Sequence, residues 1–471
     1  MEGHGEVSMR GPRSLGVVIK LGTSSIVDEK THEPLLSILT SIVETAVRLR
    51  KDGHKVIIVS SGAIGVGLRR MDVDRRPKHL SKLQALAAIG QCRLMSLWDS
   101  LFTHLRQPIA QILLTRNDIA DRSRYLNAQN TIHELLDMGV IPIVNENDTL
   151  AVSEIKFGDN DTLSAITAAM VHADVLFLMT DVDCLYDKNP RTNPDAQPIE
   201  VVDDIGQLVA DVSQAGSSLG TGGMSTKIVA ARLATSAGVT TVITRSSNPG
   251  NIVKIVKHIQ ASRSPASLAT QANAEDQGGA STTEDPMSVS TASLADLTVS
   301  TPLHTRFLPS PHPVRDRYFW ILHGLRPHGT IYIDAGAHKA LTGRAGLLPV
   351  GVVDVEGTFA QQEAVRICVV EKKRSTPGED GKMWEGAATE VGRALVNYAS
   401  FEIKQIKGHQ STEIKSLIGY ADSEYIAQRE SISLFSRESR PATPSREAMP
   451  EIAEVADAAE GSADEGEGAA L

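Results

Sequence analysis

The run Thr221, Gly222, Gly223, Met224, Ser225, Thr226, Lys227 joins two glycines, several hydroxyls and a lysine at the start of a helical pattern. Glycine lets backbone N–H groups approach phosphate oxygens with no Cβ in the way, a helix N-terminus favours negative charge, and lysine adds a full positive charge. That is the chemistry of a polyphosphate cradle. The spacing is not that of a P-loop, which needs Gly, four residues, then Gly-Lys-Ser/Thr. A Gly-Gly turn before an exposed lysine is the plain alternative.

A second lysine, Lys20, ends an apolar run and is followed by Leu21, Gly22, Thr23, Ser24 and Ser25. The next apolar run ends in Ser60, Ser61, Gly62 and Ala63. Two successive strand ends carrying glycine and small hydroxyls form an anion nest. After a further run come Asn145, Glu146, Asn147 and Asp148, and then Lys156, Gly158, Asp159, Asn160 and Asp161 where a helical pattern opens. A turn and a helix cap account for these last two clusters equally well. Thr180 and Asp181 complete a rim of polar strand ends, and Tyr186 and Pro190 follow in a loop that suits an adenine or ribose wall, although either one alone reads more simply as part of a plain surface loop.

These groups need elements to hold them. Residues 15–20, 55–60, 109–114, 140–144, 175–180 and 239–244 read as strands, almost wholly apolar. Leu39, Ile42, Val43, Ala46 and Val47 keep the rhythm of a helix face, and residues 161–172 and 224–237 also read as helices, with Gly238 at a helix C′ position. Apolar strands alternating with helices predict an α/β fold of three layers, αβα, around a mostly parallel sheet. Ligands in such sheets bind beyond the carboxyl ends of the strands. Residues 163–182 are the most apolar stretch, but His172 and Asp174 interrupt it, so it reads as a buried helix entering a buried strand and not as a membrane span.

Residues 1–14 read as a disordered N-terminus and 15–260 as the α/β domain. From 261 to 305 the texture turns to Ser, Thr, Ala, Gly, Asp and Glu, with no aromatic residue between 262 and 300, the composition of a flexible linker. Short β-like runs at 330–334, 350–355 and 364–370 make 306–435 a small, mainly β domain with a lead-in segment. Residues 436–471 read as a disordered acidic tail. The 471 residues carry a net charge of −10, of which the seven acids and no bases of 451–471 supply most, leaving −3 for the rest. Such a body has no electrostatic footprint for nucleic acid. The three cysteines, Cys92, Cys184 and Cys368, show no metal or disulfide spacing, and with no signal-peptide pattern at the N-terminus they point to a cytoplasmic compartment.

Together the polar groups suggest phosphoryl transfer to a small charged metabolite. Lys20 and Lys227 would approach the migrating phosphoryl group from opposite sides, and Asp161 would hold both ammonium groups. A carboxylate acceptor, ionised at neutral pH, needs no general base, so the lack of an obvious His or Cys nucleophile is expected.

In this order the motifs resemble those of the glutamate 5-kinases of the amino-acid kinase superfamily: Lys20-Leu-Gly-Thr-Ser, Ser61-Gly-Ala-Ile, Asn145-Glu-Asn-Asp148, Lys156 with Gly158-Asp-Asn-Asp161, Thr180-Asp181 and Thr221-Gly-Gly-Met-Ser-Thr-Lys227. Gly346-Leu-Leu-Pro-Val-Gly351 and Gly357-Thr-Phe resemble a PUA domain. The resemblance implies ATP-dependent phosphorylation of the L-glutamate γ-carboxylate to L-glutamyl 5-phosphate, the first step of proline synthesis. It implies that Lys20, Lys227 and Asp161 are catalytic. Lys20, Gly22, Thr23, Thr180, Asp181, Thr221, Gly222, Gly223, Met224, Ser225, Thr226 and Lys227 would bind ATP, and Ser61, Gly62, Asp148, Asn160 and Lys156 would bind glutamate. Mg2+ is expected on the ATP phosphates, with no dedicated protein site. Proline as inhibitor, a homo-oligomer and a separate glutamyl-phosphate reductase as partner are further implications.

The chain departs from the pattern in places. Gln362 stands where a turn glycine is expected, residues 371–385 form a longer loop, and 329–435 carry 12 Lys/Arg against 14 Asp/Glu, whereas binding to RNA through a PUA-like domain wants clustered positive charge. The rival readings are a kinase for another acceptor such as aspartate or N-acetylglutamate, an RNA-binding protein with an α/β scaffold, and a degenerate enzyme acting as a regulatory subunit.

Overall fold

The computed structural model describes residues 14–150, 160–208, 223–262, 301–314, 316–372 and 384–435. Residues 263–300 of the expected 261–305 linker, the terminal segments, Lys156, Thr221, Gly222 and most of the 371–385 loop lie outside those residues.

The apolar runs of the first half become β1 (Gly16–Leu21), β2 (Lys55–Ser60), β3 (Ile109–Leu114), β4 (Ile141–Glu146) and β5 (Val175–Thr180). A small hairpin, β6 (Leu185–Tyr186) and β7 (Pro198–Ile199), stands apart, and β8 (Val201–Val202), β9 (Thr240–Arg245) and β10 (Thr305–Phe307) complete the main sheet. Its order is β3-β4-β2-β1-β5-β9-β10-β8, and every pairing is parallel except β9 with β10. Strand β1 lies between β2 and β5, so the chain winds outward from it in both directions. The carboxyl end beside β1 is therefore the switch point at which a doubly wound sheet opens a crevice.

Between the strands run α1 (Leu36–Lys51), α2 (Ala63–Arg70), α3 (Leu80–His104), α4 (Arg116–Ala120), α5 (Arg122–Asp137), α6 (Asn160–Met170), α7 (Met224–Ser236) and α8 (Asn251–Ser262). Two apolar cores result, one on each face of the sheet. Val17, Ile19 and Leu21 of β1 enter the core shared with α1, α3 and α8, while Val18 enters the core shared with α5, α6 and α7. The period of two puts Lys20 on the same face as Val18. This alternation is what turns its side chain toward α6 and α7.

Two features differ from the sequence reading. Helices α2 to α5 and α8 have no counterpart in the sequence reading. The expected domain boundary between 305 and 306 falls inside β10, which joins the first sheet after the chain has passed through 263–300. Gln362, where a glycine was expected, does take a left-handed backbone with φ 63°. Gly238, with φ 85°, sits just past the Ala237 C-cap of α7, the C′ position its pattern predicts.

A second sheet of β11 (Gly329–Ile333), β12 (Val352–Gly357), β13 (Ala364–Lys372), β14 (Trp384–Leu395) and β15 (Ile432–Leu434) has the order β12-β11-β13-β14-β15. The segment 316–325 leads into it and lies against both units. Trp320 donates its Nε1–H to the Ile119 carbonyl of α4 at 2.8 Å, and Arg393 of β14 donates to the Leu325 carbonyl at 3.1 Å. Ala364 and Leu395 pack into the same core as Phe319 and Trp320. Among the described residues no helix is long and apolar enough to cross a membrane.

Candidate active site

Asp161 is the second residue of α6 and Lys227 the fourth of α7, so each lies in the first turn of its helix. Lys20 comes from the carboxyl end of β1. All three are buried, and the Asp161 carboxylate is fully enclosed. Oδ1 pairs with the Lys20 ammonium, and Oδ2 takes the Lys227 ammonium at 3.3 Å and the Thr226 hydroxyl at 2.9 Å. Thr226 also accepts the Gly223 N–H at 3.1 Å, closing the mouth of α7.

Burial alone would raise the Asp161 carboxyl, but the ammonium groups of Lys20 and Lys227, with the Lys20 and Thr226 hydrogen bonds, outweigh it and hold the group at about 2. One carboxylate thus bridges two buried lysine side chains. The cluster has a net charge of about +1, to which two helix N-termini add partial positive charge. Such a place attracts a polyanion. Gly22 belongs to it as well, since a side chain there would start 3.8 Å from Lys20 Nζ.

A second group of polar side chains lies beside it at the ends of β2 and β4. Asn160 donates to Ser61 Oγ at 2.8 Å and to Asn145 Oδ1 at 3.1 Å. Asn145 donates in turn to Gln91 Oε1 of α3 at 2.8 Å, and its own Oδ1 also accepts the Glu146 N–H at 2.9 Å. Trp98, two turns beyond Gln91 on α3, donates to Ser60 Oγ at 3.3 Å. Gly62 caps α2 with φ 96°, and Asp148 is half-buried in the turn after β4.

Helix α3 reaches these strand ends because two glycines remove the bulk between it and α2. A Cβ at Gly90 would come within 1.7 Å of the Ala63 carbonyl, and one at Gly67 within 2.1 Å of the Leu86 carbonyl. The two backbones are in direct contact.

On the other side of β1, Thr180 ends β5 and donates to Asp181 Oδ1 at 3.1 Å, while Asp181 Oδ2 pairs with Arg191. That pair is largely exposed, so it contributes at most about 1 kcal/mol. Arg245 at the end of β9 pairs with Asp183 at 2.7 Å. Burial, with a hydrogen bond to Cys184, pushes the Tyr186 phenol up to about 12, which keeps it neutral.

The structure thus gathers Lys20, Gly22, Asp161, Gly223, Thr226 and Lys227 at one end of the sheet, with Ser61, Gly62 and Asn160 adjoining and Thr180 and Asp181 on the next strand. Thr23 begins the short 3-10 turn after β1, and Met224 and Ser225 begin α7. Lys156, Thr221 and Gly222 are outside the described residues. Gln91 and Trp98 were missed from sequence. Their signal, a polar side chain and an indole on one face of a helix carrying an interior glycine, gains meaning only once α3 is packed.

This fold and site define a class. Residues 16–245 match the amino acid kinase family and residues 329–418 match the PUA domain. A probable glutamate 5-kinase of Schizosaccharomyces pombe is 53% identical over 417 residues, covering 88% of this chain and 92% of that protein. The glutamate 5-kinase of a Cyanothece species is 45% identical over 421 residues, covering 89% and 99%. An uncharacterized protein of Saccharomyces cerevisiae is 47% identical over 426 residues, covering 88% and 97%. The chain belongs to the glutamate 5-kinase group of the amino acid kinase family, and is a kinase with a C-terminal PUA domain.

Proposed function

We propose that this kinase transfers the γ-phosphoryl group of ATP to the γ-carboxylate of L-glutamate, giving L-glutamyl 5-phosphate. The observation that carries the reading is the Lys20–Asp161–Lys227 cluster at the switch point, flanked by a small polar pocket. Lys20, from the strand, and Lys227, from the helix, stand on either side of Asp161. A phosphoryl group arriving there exchanges part of each lysine's contact with Asp161 for contact with its own oxygens. As bonding to the leaving oxygen weakens, charge spreads over the equatorial oxygens and the leaving group, and the two ammonium groups meet it without reorganising. The acceptor carboxylate attacks as the anion it already is.

The acceptor fits the neighbouring pocket. Ser61, Gly62 and Asn160 supply short polar contacts, and the half-buried Asp148 supplies the negative charge that an amino-acid ammonium requires. Glycine at 22 and 223 keeps the nucleotide side open, with Thr180 and Asp181 on the next strand. Among the described residues no three His, Cys, Asp or Glu side chains converge as a metal site, and both Asp161 oxygens are engaged by lysines and Thr226. Mg2+ would be held through the ATP phosphates and would supply charge neutralisation there. Inhibition by proline, an amino acid that would overlap the glutamate site, belongs to the same proposal.

The test is ATP turnover against a panel of L-glutamate, L-aspartate and N-acetyl-L-glutamate, with proline titrated in. L-Glutamate is expected to be the preferred acceptor and Lys227→Ala to lower kcat by about 10²–10³, the cost of removing one donor aimed at a transition-state anion. Preference for another acceptor, or unchanged turnover in the lysine variant, overturns the assignment.

A further inference from the structure

We infer that Gln91 is a positioning residue for the acceptor pocket, acting through the amide of Asn145 to fix that of Asn160. The inference rests on the reading of that pocket as the acceptor site. Asn145 is almost fully enclosed, so each of its polar atoms needs a partner. The Glu146 N–H is a backbone donor that cannot be flipped, and it fixes which end of the Asn145 amide is the oxygen. The opposite end, Nδ2, is then a buried donor, and Gln91 Oε1 accepts from it at 2.8 Å. Held from both sides, Asn145 presents its Oδ1 to Asn160, whose Nδ2 must turn toward it and toward Ser61 Oγ.

The consequence falls on the other end of Asn160. Its Oδ1 is buried and has no hydrogen-bond partner among the described residues. An acceptor-only atom with no donor is costly to bury, and a ligand that brings an N–H to it removes that cost. An amino-acid ammonium does so, whereas the same diacid without its amine does not. The relay from α3 through β4 to α6 therefore converts the tight α2–α3 packing into discrimination for an amine-bearing acceptor. Gln91 touches no substrate in this scheme.

The experiment compares Gln91→Leu and Gln91→Glu in the full-length chain, with L-glutamate and glutarate as acceptors. Gln91→Leu leaves the Asn145 Nδ2 unpaired and frees the amide to turn. The KM for L-glutamate is expected to rise roughly tenfold, the fold-change of one mispaired buried hydrogen bond, with kcat and the KM for ATP nearly unchanged. The preference for L-glutamate over glutarate, in kcat/KM, should narrow by a similar factor. Gln91→Glu, which keeps an oxygen in place of Oε1, should restore both values toward the parent. Thermal unfolding of each variant is followed alongside. A lowered Tm with an unmoved KM and an unmoved preference, or a failure of Gln91→Glu to rescue a shifted KM, overturns the inference. Absence of glutamate turnover in the parent protein would instead refute the assignment of the acceptor, so the two failures are distinguishable.

Discussion

Among single residues, Asp161 bears the largest electrostatic load. Its carboxyl lies near 2 in the folded protein against an ordinary value of 3.8, so the folded state gains from the ionised form above 3.8 and forfeits that gain as pH falls toward 2. The depressed carboxylate predicts an acid-side loss of about 2 kcal/mol attributable to this one group. Asp161→Asn removes the titration and leaves two buried ammonium groups without their counter-charge, at an expected cost of roughly 3–5 kcal/mol near neutrality. Urea unfolding of both proteins between pH 5 and pH 2 measures the gap between them. The gap should shrink by about 2 kcal/mol across that range. A constant gap would show that the lysines do not stabilise the ionised carboxylate as described.

The reach of sequence reasoning is clearest among secondary-structure elements. Strands β1 to β5 were legible because each is a short, mostly apolar run ending in polar or glycine residues, and β9 because its β-branched Thr, Val and Ile residues follow Gly238. Lys20 and Lys227 could be paired in advance because one ends a strand and the other opens a helix, and parallel sheets bring those ends together. Helix α3 was not legible in the same way. Its interior Gly90 lowers helix propensity, and its exposed and buried residues sort cleanly only against α2, a partner that the pattern does not name. Strand β10, three residues long and separated from β9 by α8 and the polar residues 263–300, carries too little periodicity to be seen. The close α2–α3 contact yields its own prediction: Gly90→Ala drives a methyl into the Ala63 carbonyl and should cost at least about 1–3 kcal/mol, with weaker glutamate binding because Gln91 is displaced. Chemical denaturation and glutamate KM measured on the same variant check it, and an unperturbed value of either would contradict the packing argument.

For the molecule as a whole, the lead-in segment couples the two sheets. Trp320 is buried between α4 and the second sheet, with its indole N–H spent on the Ile119 carbonyl and the Arg122 guanidinium 5.4 Å from its ring centroid. Trp320→Ala should cost about 3–5 kcal/mol. Because Ala364 and Leu395 share that core, the loss should fall on the seam, and calorimetry should show one unfolding endotherm in the parent and two in the variant. A single endotherm at lower temperature in the variant would place the cooperativity elsewhere.

Strand β10 reaches the kinase sheet only after residues 263–300, and it is wedged between β9 and β8, burying Phe307 in the core. A gene fragment ending near 260 would thus encode a kinase half lacking one of its own staves, with β8 cut adrift and the flank of β9 bare to any passing strand. Severing the peptide within 263–300 while keeping both pieces is a different matter, because the downstream piece would remain laced into the upstream sheet. The catalytic unit is continuous in space but not in sequence.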